Sequence, residues 1–131
     1  MTSHSFRDAG VLTMLGHPRF FLGSDSAPHP SINKSTSSPD RGCAAGIYTS
    51  PILLPLTAHL LESFGALDKL EDFVSKNGRA FYKKEISSTD DGTNIVQLRR
   101  RKAPVTERYL LKEEEVVPFW SGKDLEWEID C

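Results

Sequence analysis

Between Ser5 and Leu15 the apolar residues Phe6, Val11, Leu12 and Leu15 recur at helix-like intervals and predict a short helix. His17-Pro18 closes it, because the residue before a proline is pushed out of the helical region. Phe20-Phe21-Leu22 is a brief apolar run that ends at Gly23. A run bounded by breakers predicts one strand buried on both faces, the kind found in parallel sheets. From Ser24 to Ser50 the chain is almost all turn chemistry, with Pro28, Pro30 and Pro39 among Ser35, Ser37, Ser38, Asp40 and Gly42. A loop of this length inside a compact domain is usually functional or disordered, so a site is sought there first.

Pro51 opens a helix over roughly Ile52 to Phe64, with Gly65 as its stop. Pro55 falls in the first turn, where a missing N–H costs little. Leu53, Leu56, Leu60, Leu61 and Phe64 form the expected buried stripe, and His59 falls on the partly exposed side. A second helix is predicted over Leu67 to Lys76, with Leu67, Leu70, Phe73 and Val74 inward and Asn77-Gly78 ending it. Arg79 to Tyr82 reads as a further helical turn burying Phe81 and Tyr82. Beyond Glu85 the texture changes. Thr89-Asp90-Asp91-Gly92 is a turn cluster, and Ile95, Val96 and Leu98 fit a short strand. Val116 to Trp120 and Leu125 to Ile129 flank Ser121-Gly122 and read as a pair of extended segments, with Leu125, Trp127 and Ile129 on one face.

Composition narrows the class. At 131 residues there is room for one ordinary domain, and 38% hydrophobic with 26% charged residues is the balance of a soluble globular protein. Sixteen basic against eighteen acidic side chains give a net charge of -2, which argues against a general polyanion binder. No stretch approaches the ~18 apolar residues that would span a bilayer. Met1 to Gly10 lacks the apolar core of a secretory signal. Cys43 and Cys131 are too few for a disulfide framework or a cysteine zinc site. A cytoplasmic protein, with no membrane and no nucleic-acid partner, is expected.

The sharpest pattern for chemistry is Gly23-Ser24-Asp25-Ser26-Ala27-Pro28-His29-Pro30. A strand ends, and an aspartate and a histidine follow four residues apart in a proline-framed turn. In parallel α/β folds the carboxyl ends of strands carry catalytic groups, because their side chains project into a shared cleft. A carboxylate there can bind metal or move a proton, and an imidazole can ligate metal or hold an anion. Spacing alone favours an Asx-turn at Asp25 and a solvated loop histidine at His29, because a single Asp-His pair is weak without other partners. His4, His17 and His59 show no zinc spacing. Cys43 has no histidine placed to activate it and reads as an inert loop thiol. Arg99-Arg100-Arg101-Lys102 is offset by Glu113-Glu114-Glu115 and reads as a solvated stretch rather than a nucleic-acid patch.

The string Phe20-Phe21-Leu22-Gly23-Ser24-Asp25-Ser26-Ala27-Pro28-His29-Pro30 resembles the late signature of dihydroorotases, the zinc amidohydrolases of pyrimidine synthesis. The match is to the short, single-function type of bacteria and fungi. It continues in order through Cys43 to Pro51, Leu70 to Gly78, Phe81-Tyr82, Val116 to Phe119 and Leu125 to Trp127, and the Cys-Ala-Ala-Gly loop looks fungal. The resemblance implies hydrolysis of the cyclic amide of (S)-dihydroorotate to N-carbamoyl-L-aspartate at a two-zinc centre. Asp25 matches the aspartate that touches one zinc and shuttles the proton from attacking hydroxide to departing nitrogen. His29 matches the histidine that binds the substrate carboxylate. A backbone group of the Cys-Ala-Ala-Gly loop meets the same carboxylate, and Ala45 is its match, with Ala44 the competitor.

The implied fold is α/β, the C-terminal portion of a (β/α)8 TIM barrel of the amidohydrolase type, plus a small β-rich C-terminal extension. Residues 1–84 would supply the last barrel strand and the helices after it. Residues 85–131 would be the extension packing on the barrel. The family's first-strand His-x-His, carboxylated lysine and two further histidines have no counterpart here, and a whole barrel takes about 250 residues. The expectation is therefore a partial chain, inactive alone, that forms a homo-oligomer or associates with a complete barrel. The alternative is a non-catalytic remnant that binds a partner.

Overall fold

The helix expected between Pro51 and Gly65 forms. In the computed structural model, which describes residues 15–34, 42–84 and 95–130, a 3-10 turn over Ser50–Ile52 leads into helix α1, Leu53–Ser63. Pro51 sits where the first N–H groups lack intrahelical acceptors, and Gly65, at φ +68, ends the run. α1 buries Pro55, Leu56, Thr57, Ala58 and Leu61. Leu60, expected in the stripe, is instead exposed, because the buried face is centred on Ala58 and Leu61. The helix expected between Ser5 and Leu15 lies outside the described residues except for Leu15, which is buried with Leu61 and Ala66 beside Phe64, Leu70 and Phe73. The turn cluster Thr89 to Gly92 also lies outside them.

The second helical stretch does not stop at Asn77-Gly78. A 3-10 turn, Leu67–Lys69, is followed by a wide π-helical turn, Asp72–Lys76, and then by a short helix α2, Asn77–Phe81. Both residues of the supposed stop have tertiary roles. The Asn77 amide nitrogen donates to Phe20 O at 3.0 Å, and a β-carbon at Gly78 would lie 3.4 Å from the Phe21 ring. Gly78 thus packs its backbone against the Phe21 side chain. Phe81 and Tyr82 touch Phe21, with ring centroids 5.3 and 5.8 Å away, yet both remain exposed rather than buried.

Phe20-Phe21-Leu22 runs between Pro18 and Gly23 without a sheet partner among the described residues. Its expected strand ladder is replaced by one backbone bond, Leu22 N–H to Phe73 O at 2.9 Å. A strand exists only through a neighbour's N–H and C=O groups, and among the described residues no strand pairs with this segment. The described residues accordingly form a small α/β segment, not a barrel.

The β-rich end folds differently from the expected pairing. Strand β1, Gln97–Pro104, pairs antiparallel with β4, Asp124–Asp130, in a register from Gln97↔Asp130 to Pro104↔Asp124 with an irregularity between Arg100 and Ala103. β2, Tyr109–Leu111, and β3, Glu114–Val116, form a hairpin turned at Lys112, where φ is +60. Residues 117–123 do not extend from Val116 toward Leu125 as an extended pair. Trp120 and Gly122 take φ +67 and +68, which turns the chain there. The basic run lies within β1, and its partners are not the neighbouring glutamates. Arg99 and Arg101 pair with Glu128, Arg99 also with Asp130, Arg100 with Glu62, and Lys102 with Asp124. Each cation of the run thus faces a carboxylate that offsets its charge.

The helical and β portions share one core. Ile52 and Leu56 of the α1 region pack with Val105 and Leu125, and Trp120 closes over them. The seam also carries polar bonds. Trp127 Nε1–H donates to Glu62 Oε2 at 2.9 Å, and Glu126 N–H donates to His59 Nδ1 at 3.4 Å. No helix among the described residues is long and apolar enough to cross a membrane.

Candidate functional site

Asp25 ends the apolar run in a backbone conformation that L-residues seldom adopt, φ +43. The turn is held from both directions. Ser26 N–H donates to Ser24 Oγ at 3.3 Å, and Ser26 forms an isolated parallel bridge with Ile47. Ala27 N–H donates to Ile47 O at 2.8 Å. The Ser26 hydroxyl then accepts from Thr49 N–H and Ser50 N–H, both at 3.0 Å. Those amides open the helical stretch that becomes α1, so Ser26 performs an N-cap's work from a distant segment. Thr49 Oγ1, beside these bonds, is buried with no hydrogen-bond partner among the described residues.

The loop that carries Ala45 is fixed against the same turn. Gly46, at φ +103, passes Ala27 at a distance only glycine allows. Behind it, the 3-10 turn Ser31–Lys34 holds the loop from the other side: Ala44 N–H donates to Asn33 O at 2.9 Å, and Lys34 Nζ donates to Ala44 O at 2.6 Å and also to Gly46 O. Asp25 and Ala45 are exposed and His29 is half-buried. The structure thus brings the Asp25 turn and the Ala45 loop side by side, with His29 two residues beyond Ala27.

Cys43, expected to be inert, is an exposed free thiol directed at the Lys34 and Ala44 carbonyls at 3.5 and 3.8 Å. Ser26 and Lys34 are the residues that sequence reasoning did not single out. Ser26 lay inside the quoted motif, but its hydroxyl's acceptor role depends on a contact 23 residues away. Lys34 carried no local signal at all.

The chemistry available is a carboxylate on a strained turn, an imidazole nearby and a backbone N–H on a fixed loop. The described residues do not by themselves complete a metal centre. Among the described residues no group of three or more His, Cys, Asp or Glu side chains could hold a metal ion, so Asp25 lacks the companions a two-zinc centre requires. Two open grooves of about 460 and 480 Å³ flank α2, and neither is lined by Asp25, His29 or Ala45.

No family model matches the chain. Relatives do. The dihydroorotase of Mycosarcoma maydis is 42% identical over an alignment covering 87% of this chain, and that of Halorhodospira halophila is 43% identical over the same share. The solved structure of Saccharomyces cerevisiae dihydroorotase in complex with 5-fluoroorotic acid matches 94% of this chain with a TM-score of 0.77 and 29% identity. The chain is a dihydroorotase homologue. The homology is to a partial segment: the chain spans 40% of the Mycosarcoma dihydroorotase, 30% of the Halorhodospira one and 32% of the yeast chain. Within that segment the Asp25 turn and the Ala45 loop are two of the parts the sequence resemblance rests on.

Proposed function

We propose that this chain is the part of a dihydroorotase that presents Asp25, His29 and the Ala45 peptide group to dihydroorotate or N-carbamoyl-aspartate, in the cytoplasm, within pyrimidine synthesis. The observation that carries the reading is the fastening of the Asp25 turn to the Ala45 loop through Ala27 N–H and Ile47 O. Asp25 would accept and return a proton, as a carboxylate of ordinary reach can. His29 and the Ala45 N–H would hold the substrate carboxylate by charge-assisted hydrogen bonds. The two zinc ions of the family's chemistry do not fit the described residues. Their ligands would come from the rest of the barrel, which residues 1–84 would complete while 85–131 form the extension packing on it.

The test has two arms. The purified chain supplied with zinc should show no ring opening of dihydroorotate. Fused behind the preceding barrel segment of the Mycosarcoma relative, it should restore turnover, and Asp25→Asn in that fusion should lower kcat by about 10²-fold or more. Turnover by the chain alone, or a fusion indifferent to Asp25, overturns the proposal.

One observation favours a second reading, a non-catalytic chain that associates with a barrel partner or with its own copies. Phe81 and Tyr82, exposed at 63% and 64%, stack on each other and on Phe21 and leave an apolar face that a partner would cover. Sedimentation as a monomer at all concentrations would count against it.

A further inference from the structure

We infer that Lys34 is a positioning residue that aims the Ala45 N–H. This rests on the proposal that Ala45 meets the substrate carboxylate, and it names the side chain that sets the direction of that contact. The Lys34 ammonium donates to two main-chain carbonyls of one loop, Ala44 O at 2.6 Å and Gly46 O. No peptide bond among the described residues is cis. In a planar trans peptide the C=O and the following N–H point in opposite directions. With the Ala44 carbonyl turned onto Lys34, the Ala45 N–H must face away from it. The same holds for the Gly46 carbonyl and the Ile47 N–H.

The far side of the loop is where the Asp25 turn lies. A parallel bridge engages its central residue through both N–H and C=O, and Ile47 is bridged in this way to Ser26. Ile47 O receives the Ala27 N–H at 2.8 Å. The loop therefore runs between Lys34 on one side and the Asp25 turn on the other, and Lys34 decides which edge of each peptide faces the turn. A cation on the Ala44 carbonyl also polarises that amide, which makes the Ala45 N–H a stronger donor to a carboxylate. Asn33 O, accepting from Ala44 N–H at 2.9 Å, anchors the loop beside the lysine.

The test uses the whole chain, labelled with 15N, as wild type, Lys34→Met and Lys34→Arg. Methionine keeps the length and apolar stem and removes the cation. In K34M the Ala45 and Ile47 amide resonances should shift and exchange at the Ala44 amide should rise about tenfold. The Val105 and Leu125 amides, in the core away from the loop, should stay in place, and K34R should restore at least half of the Ala45 shift. Ala45 and Ile47 amides unmoved in K34M, or shifts of equal size at Val105, overturn the inference. Dihydroorotate is then titrated into each protein. An Ala45 amide that responds in wild type and at least fivefold less in K34M supports the inference. One that moves on replacing Lys34 but never responds to dihydroorotate overturns the substrate proposal while leaving Lys34 as the residue that orients the loop.

Discussion

Gly46 passes Ala27 so closely that a β-carbon on it would lie 2.6 Å from the Ala27 Cβ and 3.3 Å from the Ala27 carbonyl oxygen. That approach lets the Ala45 loop lie directly against the turn that carries Asp25. It also places the one residue of the loop with φ +103 at the point of closest contact, so a single glycine answers both a steric and a conformational demand.

Gly46→Ala is accordingly expected to cost about 2–3 kcal/mol, from overpacking against Ala27 together with the unfavourable positive φ. Urea unfolding of the variant measures this. Gly23→Ala is the control, since nothing lies within 4 Å of a β-carbon there, and it should fall within ~0.5 kcal/mol of wild type. Equal effects from the two substitutions would contradict the close approach.

Ser26→Ala should destabilise by about 1 kcal/mol, the usual worth of an N-cap, because Thr49 and Ser50 N–H lose their common acceptor. The local signature is faster exchange at exactly those two amides with little change at Leu61 or Ala66, deep in the other core. Ser26→Thr keeps a hydroxyl and should recover part of the loss.

The sequence made some of this visible and hid the rest for physical reasons. Helix α1 was legible because Pro51 and Gly65 bracket a run whose apolar spacing is helical. The second helix was misjudged at Asn77-Gly78 because those residue types mark a stop locally, whereas here they serve Phe20 and Phe21 across the fold. The strand at Phe20 to Leu22 was expected from apolar character, but a strand depends on partners that its own residues cannot report. The pairing of β1 with β4 was missed because Arg99 to Lys102 reads as a solvated run, and only the facing Glu128, Asp130 and Asp124 reveal it as a strand edge. Asp25, His29 and Ala45 stood out by motif. Ser26 and Lys34, which hold them in place, act through contacts that no local pattern encodes.

Glu62 joins three elements. Its carboxylate accepts the Trp127 indole N–H at 2.9 Å and pairs with Arg100 at 3.0 Å, tying α1 to both β4 and β1. Its side chain is 28% exposed, so loss of the carboxylate leaves a half-buried indole donor unsatisfied. Glu62→Ala should lower stability by about 1–2 kcal/mol and shift the tryptophan emission to the red. Glu71→Ala, removing a pair with Lys76 whose carboxylate side chain is 71% exposed, should change stability by less than ~0.5 kcal/mol.

Acid should weaken the β1–β4 ribbon through Glu128. Hydrogen bonding from Arg99, reinforced by the charge of Arg101, holds its carboxyl below the ordinary value of 4.5. A folded-state pKa below the unfolded one means that the unfolded chain binds its proton first as pH falls. The stabilisation is therefore complete above pH 4.5 and is lost progressively as pH drops below that value and through the folded pKa. Glu128→Gln removes the titration, so its unfolding midpoint should fall less between neutral pH and pH 3 than that of wild type. The Glu128 partners Arg99 and Arg101 are exposed, so added salt should shrink the difference between the two proteins at neutral pH. Parallel pH profiles for wild type and variant would show that the arginines of β1 do not engage Glu128 in solution.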